Sequence, residues 1–172
     1  MGQLHYSVRE RELSDSLTML EAKLDEVSHV GMLPRVGFSR RVHPLPWKDF
    51  GRIVHALGFR VSTVLNVCEL GRIDHREDFD YTLQVLRAGH KTALLTTMCV
   101  GDRKFGDRGG SSASNRSFDA ANADALKLAR LHPGLVEAVP GKYRTTGDRL
   151  EVRIKWSKAF NYDAKLHPRT FF

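Results

Sequence analysis

The sequence predicts an α+β fold in one domain, and three observations carry that expectation. Segments with helical periodicity alternate with short β-branched runs, without the regular strand–helix repeat of a parallel α/β protein. The chain has 172 residues, 41% hydrophobic and 27% charged, enough for one core and barely enough for two. Its C-terminal third is broken into brief alternating runs by Pro and Gly turns. The expected architecture is a single domain over 1–172, with an acidic N-terminal helix, a small mixed sheet carrying helices on one face, and a β-rich C-terminal third.

Taken in order, Leu13, Leu17, Leu20, Leu24 and Val27 recur at 4-3-4-3 spacing, which predicts an amphipathic helix capped by Ser14 or Asp15 and stopped at Gly31. Its stripe is expected to pack on the domain's own core, with a helix–helix dimer as the alternative. Residues 32–46 read as irregular and basic (Arg35, Arg40, Arg41, with Pro34, Pro44 and Pro46), either a basic arm or a solvated connection. Pro46 suits the first turn of a helix running from Trp47 to Leu57, with Trp47, Phe50, Ile53, Val54 and Leu57 on one face and Gly58 at its end.

Residues 60–68 admit two readings. As Arg60-Val61-Ser62-Thr63-Val64-Leu65-Asn66-Val67-Cys68 they form a β-branched run that fits a buried strand. Alternatively, Ile53, Leu57, Gly58, Phe59, Val64 and Val67 occupy the apolar and turn-glycine positions of two crossed helices. Over about twenty residues that pattern resembles the helix-turn-helix of phage-repressor-like DNA-binding proteins. The resemblance implies major-groove recognition involving Asn66 and dimerisation through Leu17, Leu20 and Leu24. Val54 departs from it where a small residue is usual, and Val61 and Leu65 would lie on the base-reading face. The strand is favoured by a second occurrence of the same unit: a helix bearing Phe79, Leu83 and Leu86, then Gly89-His90-Lys91 and an apolar run to Cys99, matching Gly58-Phe59-Arg60 and the run to Cys68.

Residues 101–117 read as a Gly/Ser/Arg loop. A helix capped by Ser117 follows, with Ala121, Ala125, Leu128, Ala129 and Leu131 inward, broken by Pro133-Gly134. Strands are expected at Leu135–Val139, Tyr143–Thr146 and Leu150–Trp156. In the last, Leu150, Val152, Ile154 and Trp156 point inward and Glu151, Arg153 and Lys155 outward.

Twenty-seven Lys and Arg stand against 20 Asp and Glu, a net of +7. Residues 1–31 hold three basic and six acidic side chains, so the surplus lies wholly beyond them. A surplus of this size points to a polyanionic partner. No apolar run reaches the roughly 18 residues that span a bilayer, and the N-terminus lacks the features of a secretory signal, so no membrane partner is expected. Cys68 and Cys99 form no C-x-x-C pair and read as buried thiols in a reducing cytoplasm. The eight histidines show no metal-ligand spacing, and no cofactor motif is present.

Three constellations bear on chemistry. In 101–117, glycines that free backbone amides are interleaved with Arg103, Lys104, Arg108 and Arg116, a pattern suited to phosphate. Toward the C-terminus, Lys142, Arg144, Arg149, Arg153, Lys155 and Lys158 alternate with Tyr143, Trp156, Phe160 and Tyr162, cations for phosphates and rings for bases. Finally, Asp74, His75, Glu77, Asp78 and Asp80, with Asp148 and Glu151, could converge on a divalent ion, although Arg153 occupies the place of a nuclease lysine and the helix dipole explains carboxylates in a first turn. No catalytic residue is assigned. The expected function is non-enzymatic binding of RNA or DNA by Arg40, Arg41, Arg103, Lys104, Arg108, Arg116, Lys142, Arg144, Arg153 and Lys155, through backbone contacts and base stacking. Its alternatives are a structural subunit of a nucleoprotein or viral assembly, homo-oligomeric or larger; a metal-dependent nuclease using Asp78 and Glu151; and a helix-turn-helix regulator.

Overall fold

Two uncharged runs, His29–Pro34 and Thr92–Val100, form adjacent parallel strands β1 and β4 at the middle of the molecule. All of β1 is buried, as are Thr92–Leu95 of β4, so both runs read as apolar without strict alternation. The computed structural model describes residues 10–34, 45–53, 55–100, 118–141 and 149–166. Between β1 and β4 the chain adds β2 (Trp47–Asp49), antiparallel to β4, and β3 (His55–Phe59), antiparallel to β1, giving the order β2-β4-β1-β3. A second sheet is the antiparallel pair β5 (Val136–Pro140) and β6 (Leu150–Ile154). With its mixed four-stranded sheet, this two-stranded sheet and the helices around them, the protein is α+β.

Helix α1 (Glu10–Lys23) lies on one face of the large sheet. Its Leu20 and the following Leu24 and Val27 meet Val30, Met32, Ala93 and Leu95. The opposite face carries Leu33 and Leu94, packed on Ile53. There His29, wholly buried, reaches Thr82 of α3 (Glu77–Arg87) at 3.1 Å and stacks on Phe59 with centroids 4.1 Å apart. Helical segments thus stand on both faces, a refinement of the one-faced arrangement expected. Helix α3, α4 (Phe118–Leu131), the β5–β6 sheet and the short α5 (Trp156–Ala159) and α6 (Tyr162–Leu166) enclose the second core of Phe79, Leu83, Leu86, Leu128, Leu135 and Val136.

The end of α3 is the stop that its sequence describes. Gly89 has φ +87°, its N–H bonds to Leu86 O, and the His90 N–H bonds back to Val85 O, the paired closure of a left-handed C-terminal cap. The Pro133-Gly134 break after α4 and the alternation of β6 are likewise as expected.

Several sequence expectations are overturned. Residues 47–57 are not a helix: they supply β2 and the start of β3, and Phe50 and Ala56 have φ of 55° and 47°, outside the right-handed helical region. The apolar positions that suggested one helical face disperse instead. Trp47 joins the α1 core, Phe50 the α3 core, Ile53 packs on Leu94, and Leu57 is exposed. Residues 60–68 are not a strand but helix α2 (Val61–Val67), because β3 already fills the place beside β1. Arg60 turns the chain away: its N–H closes on Ser28 O and its guanidinium holds Leu24 O. Without a first helix, the helix-turn-helix does not form. Gly31 is no helix stop but a strand residue, and residues 32–34 of the expected arm are buried in β1. Gly58 is no cap either: a Cβ there would sit 2.8 Å from Val30 Cγ2, so the glycine serves the close approach of β3 to β1.

One polar network ties the second core together. Asp80, fully buried on α3, accepts bonds from Arg72 Nη2 at 2.5 Å, Arg72 Nε at 3.1 Å, Gln84 Nε2 at 2.8 Å and His132 Nε2 at 2.7 Å. His132 Nδ1 accepts from Arg87 Nη1, which fixes a neutral imidazole protonated on Nε2. Arg87 also donates to Leu131 O and to Asp163 at the start of α6. Burial pushes the Asp80 carboxyl up, but the bonds from His132 and Arg72 outweigh it and leave the group below its usual value.

Asp80→Ala strands Arg72 and His132 without their acceptor and is expected to cost about 3–5 kcal/mol in urea unfolding. Gly89→Ala forces a Cβ into a left-handed position against Asn161 Oδ1 and is expected to cost about 1–2 kcal/mol in the same assay.

Candidate functional site

The three segments that carry most of the positive charge share anchor points. Residues 35–44 follow β1, whose last residue Pro34 pairs with Val100, the last residue of β4 and the one before 101–117. The described residues that precede 35–44 and 101–117 are therefore paired. The same loop ends at α4, and there Asn122 Oδ1 accepts the N–H of Leu150, 2.6 Å away, at the start of β6 just beyond 142–148. Arg76 reinforces this second junction, donating to Ala121 O and Leu150 O, each at 2.7 Å. It begins α3 in a left-handed conformation with φ 67°, a strained geometry that its two carbonyl bonds hold.

Around that junction lies an ionic cluster. The Asp124 carboxylate on α4 accepts both the backbone N–H and the Nδ1–H of His75, at 2.8 and 2.7 Å, while His75 Nε2 is buried and has no hydrogen-bond partner. Arg52 rests over the Phe79 ring, 4.7 Å from its centroid. Burial pulls the Arg52 and Arg76 guanidinium groups below their usual values, while Asp78 and Glu151 pull both back up. Asp78 and Glu151, far apart in sequence, are thus brought to the same two arginines. Burial, with the neighbouring Glu77 charge, pushes the Asp78 carboxyl up to about 7 against the opposing pull of Arg52. A carboxyl at that value exchanges its proton near neutrality, a property found at functional sites.

The acidic groups here lie among arginines. Asp80 is consumed by its own network, Asp78 and Glu151 face arginines, and no group of three metal-ligating side chains occurs among the described residues. Asp148 lies outside them.

Of the residues expected to bind nucleic acid, Arg40, Arg41, Arg103, Lys104, Arg108, Arg116, Lys142 and Arg144 lie outside the described residues. Arg153 and Lys155 do not join the junction. Arg153 is exposed on β6 and pairs with Glu137 of β5 at 3.1 Å. Lys155 sits past the far end of β6, its N–H bonded to Leu135 O and its Nζ to Gly134 O. Of the rings expected to stack on bases, Tyr143 lies outside the described residues, and the other three are half-buried against the second core: Trp156 meets Phe79 edge-on, Phe160 packs on Phe50, and the Tyr162 hydroxyl donates to Pro133 O. Cys99, expected to be buried, is exposed, because the second half of β4 alternates toward solvent; Cys68 is half-buried. Sequence reasoning passed over Arg52, Arg76 and Asp124, since nothing in their local spacing announces that they meet.

Comparison with known protein families, curated proteins and solved structures finds no match to this chain.

The buried His29 and the half-buried Asp78 give the fold opposing pH dependences. Burial lowers His29 to about 4, against a partial rise from its bond to Gly58 O. Below pH 6.5 the unfolded chain therefore takes up a proton that the folded chain refuses, and stability falls by about 3 kcal/mol by pH 4. Asp78 is raised, so the folded chain binds its proton first as pH falls through 7, and stability rises by up to about 4 kcal/mol toward pH 4. Between pH 6.5 and 4 the two nearly cancel. Asp78→Asn removes the second contribution: urea titrations should find it more stable than wild type at pH 8, and losing stability steadily from pH 6.5 to 4 where wild type is nearly level.

Proposed function

We propose that this protein is a non-enzymatic binder of nucleic acid that holds the phosphate backbone with the basic segments 35–44, 101–117 and 142–148. Charge partition supports the reading. The described residues hold 16 basic against 17 acidic side chains, so the scaffold is nearly neutral, while those three segments together contribute +6 of the net +7. The observation that carries it is that the described residues flanking these segments meet: Pro34 pairs with Val100, and Asn122 of α4 accepts the N–H of Leu150. Arginines and lysines gathered on linked segments suit a polyanion whose charges repeat along a chain. With Trp156, Phe160 and Tyr162 packed against the second core, the proposed contact is chiefly electrostatic and backbone-directed, and base stacking falls to Tyr143. The free thiols of Cys68 and Cys99 suit a reducing, cytoplasmic setting.

Fluorescence anisotropy with single- and double-stranded DNA and RNA tests the proposal. Binding is expected at low salt, with log K falling steeply against log salt. Replacing Arg103, Lys104, Arg108 and Arg116 together by Ala should reduce that slope by about 3. Arg153→Ala, at a residue already paired, should change affinity by less than about twofold. Undetectable binding to all four nucleic acids at low salt, or a slope untouched by the fourfold substitution, would sink the proposal.

A further inference from the structure

Helix α2 lacks the charged outer face that a surface helix of a monomer presents. Its sequence, Val-Ser-Thr-Val-Leu-Asn-Val, contains no ionisable side chain. The inner side is already satisfied: Thr63 is buried and donates to Ser28 Oγ, Val64 and Val67 are half-buried, and the helix packs on α3. The outer side carries large apolar groups beside the exposed, uncharged Ser62 and Asn66. Val61 and Leu65, one turn apart, are 68% and 71% exposed, and Leu70 just beyond the helix is 56% exposed. Large apolar side chains clustered in solvent on an uncharged helix are ordinarily covered by a partner.

The charges that bracket α2 identify what covers it. Arg60 immediately precedes the helix and Glu69 follows it by two residues. Arg60 uses Nε and Nη2 on Leu24 O. Glu69 has a carboxylate 77% exposed, with Arg72 a distant 3.9 Å away. Two copies of α2 laid antiparallel about a two-fold axis beside Leu65 would set the two Leu65 side chains against each other, with Val61 of each toward the far end of its partner's helix. The same operation brings Arg60 of each copy to Glu69 of the other. The seven-residue helix is about 10 Å long, comparable with the 8–10 Å between packed helices, so both charged pairs fall within reach of flexible side chains. The pattern is self-complementary, as an isologous contact requires. Helix α1, whose Leu13 and Leu17 are also exposed, is a poorer self-association surface, because Glu12, Asp15 and Glu21 beside them would repel their own copies.

We propose that the protein forms a two-fold homodimer in which α2 packs antiparallel on α2 of a second copy, with Arg60 and Glu69 pairing across the interface. Sedimentation equilibrium of the full chain, without nucleic acid, from low to several hundred micromolar, is expected to show a reversible monomer–dimer equilibrium. Leu65→Asp should weaken it by at least about tenfold, with the circular dichroism and melting temperature retained, since that side chain is exposed. Arg60→Glu and Glu69→Arg should each weaken association, the doubly exchanged chain should recover it, and mixing the two single variants should give a heterodimer. Because Arg60 also holds Leu24 O, the Glu69→Arg arm and the mixing experiment keep the test independent of any folding defect in Arg60→Glu. A wild type that stays monomeric, its α2 face left for some other occupant, overturns the proposal. So does a dimer indifferent to Leu65→Asp, or a failure of both the double exchange and the mixture to restore association.

Discussion

The fold turns on a single buried carboxylate. Asp80 lies on the inward side of α3 among Phe79, Leu83 and Leu86, a place where an unpaired charge would be driven to neutrality. It stays ionised because its donors come from the approach to α3, from α3 itself and from the end of α4. Each donor is held in turn: Gln84 by the backbone of Glu69, His132 by Arg87, and Arg87 by Asp163 on α6. The network adds directional contacts to an apolar core that would otherwise tolerate sliding. By pinning α3 along its length, it places the first turn of that helix where Arg76 and His75 meet α4 and β6.

That placement links core to surface. The junction of α3, α4 and β6 is built from charge-assisted and carbonyl bonds made by Arg76, His75 and Asn122. It is also where two of the basic segments rejoin the scaffold. The third leaves from the paired ends of β1 and β4. Acidic and basic groups balance in the described scaffold, which avoids the self-repulsion that a uniformly cationic domain would incur. The net +7 thus describes a neutral body bearing cationic segments.

Where local chemistry decided the outcome, the sequence was readable. The amphipathic helices α3 and α4, the Gly89 cap, the Pro133-Gly134 break and the alternation of β6 each follow from residues a few positions apart; α1 is a helix as its spacing predicts, but Leu13 and Leu17 of the expected inward stripe are exposed, and Ser14 and Asp15 lie inside it instead of capping it. Asp78 and Glu151 could be singled out as chemically interesting carboxylates, but not as partners of Arg52 and Arg76, because contacts spanning tens of residues leave no trace in local spacing. Trp156, Phe160 and Tyr162 show the same limit from the other side: aromatic residues interleaved with lysines look like an exposed binding strip until the second core claims them.

The sequence by itself determined the α+β class, the helices with clean periodicity and the segregation of positive charge, since these depend on composition and near-neighbour order. Only the tertiary structure decided the state of residues 47–68. There the apolar and β-branched residues satisfy helical and extended templates alike, and competition for the place beside β1 settled the matter. Once His55–Phe59 paired with His29–Met32, Arg60 turned the chain out of the sheet, and the β-branched run that followed had only a helix in which to satisfy its own backbone.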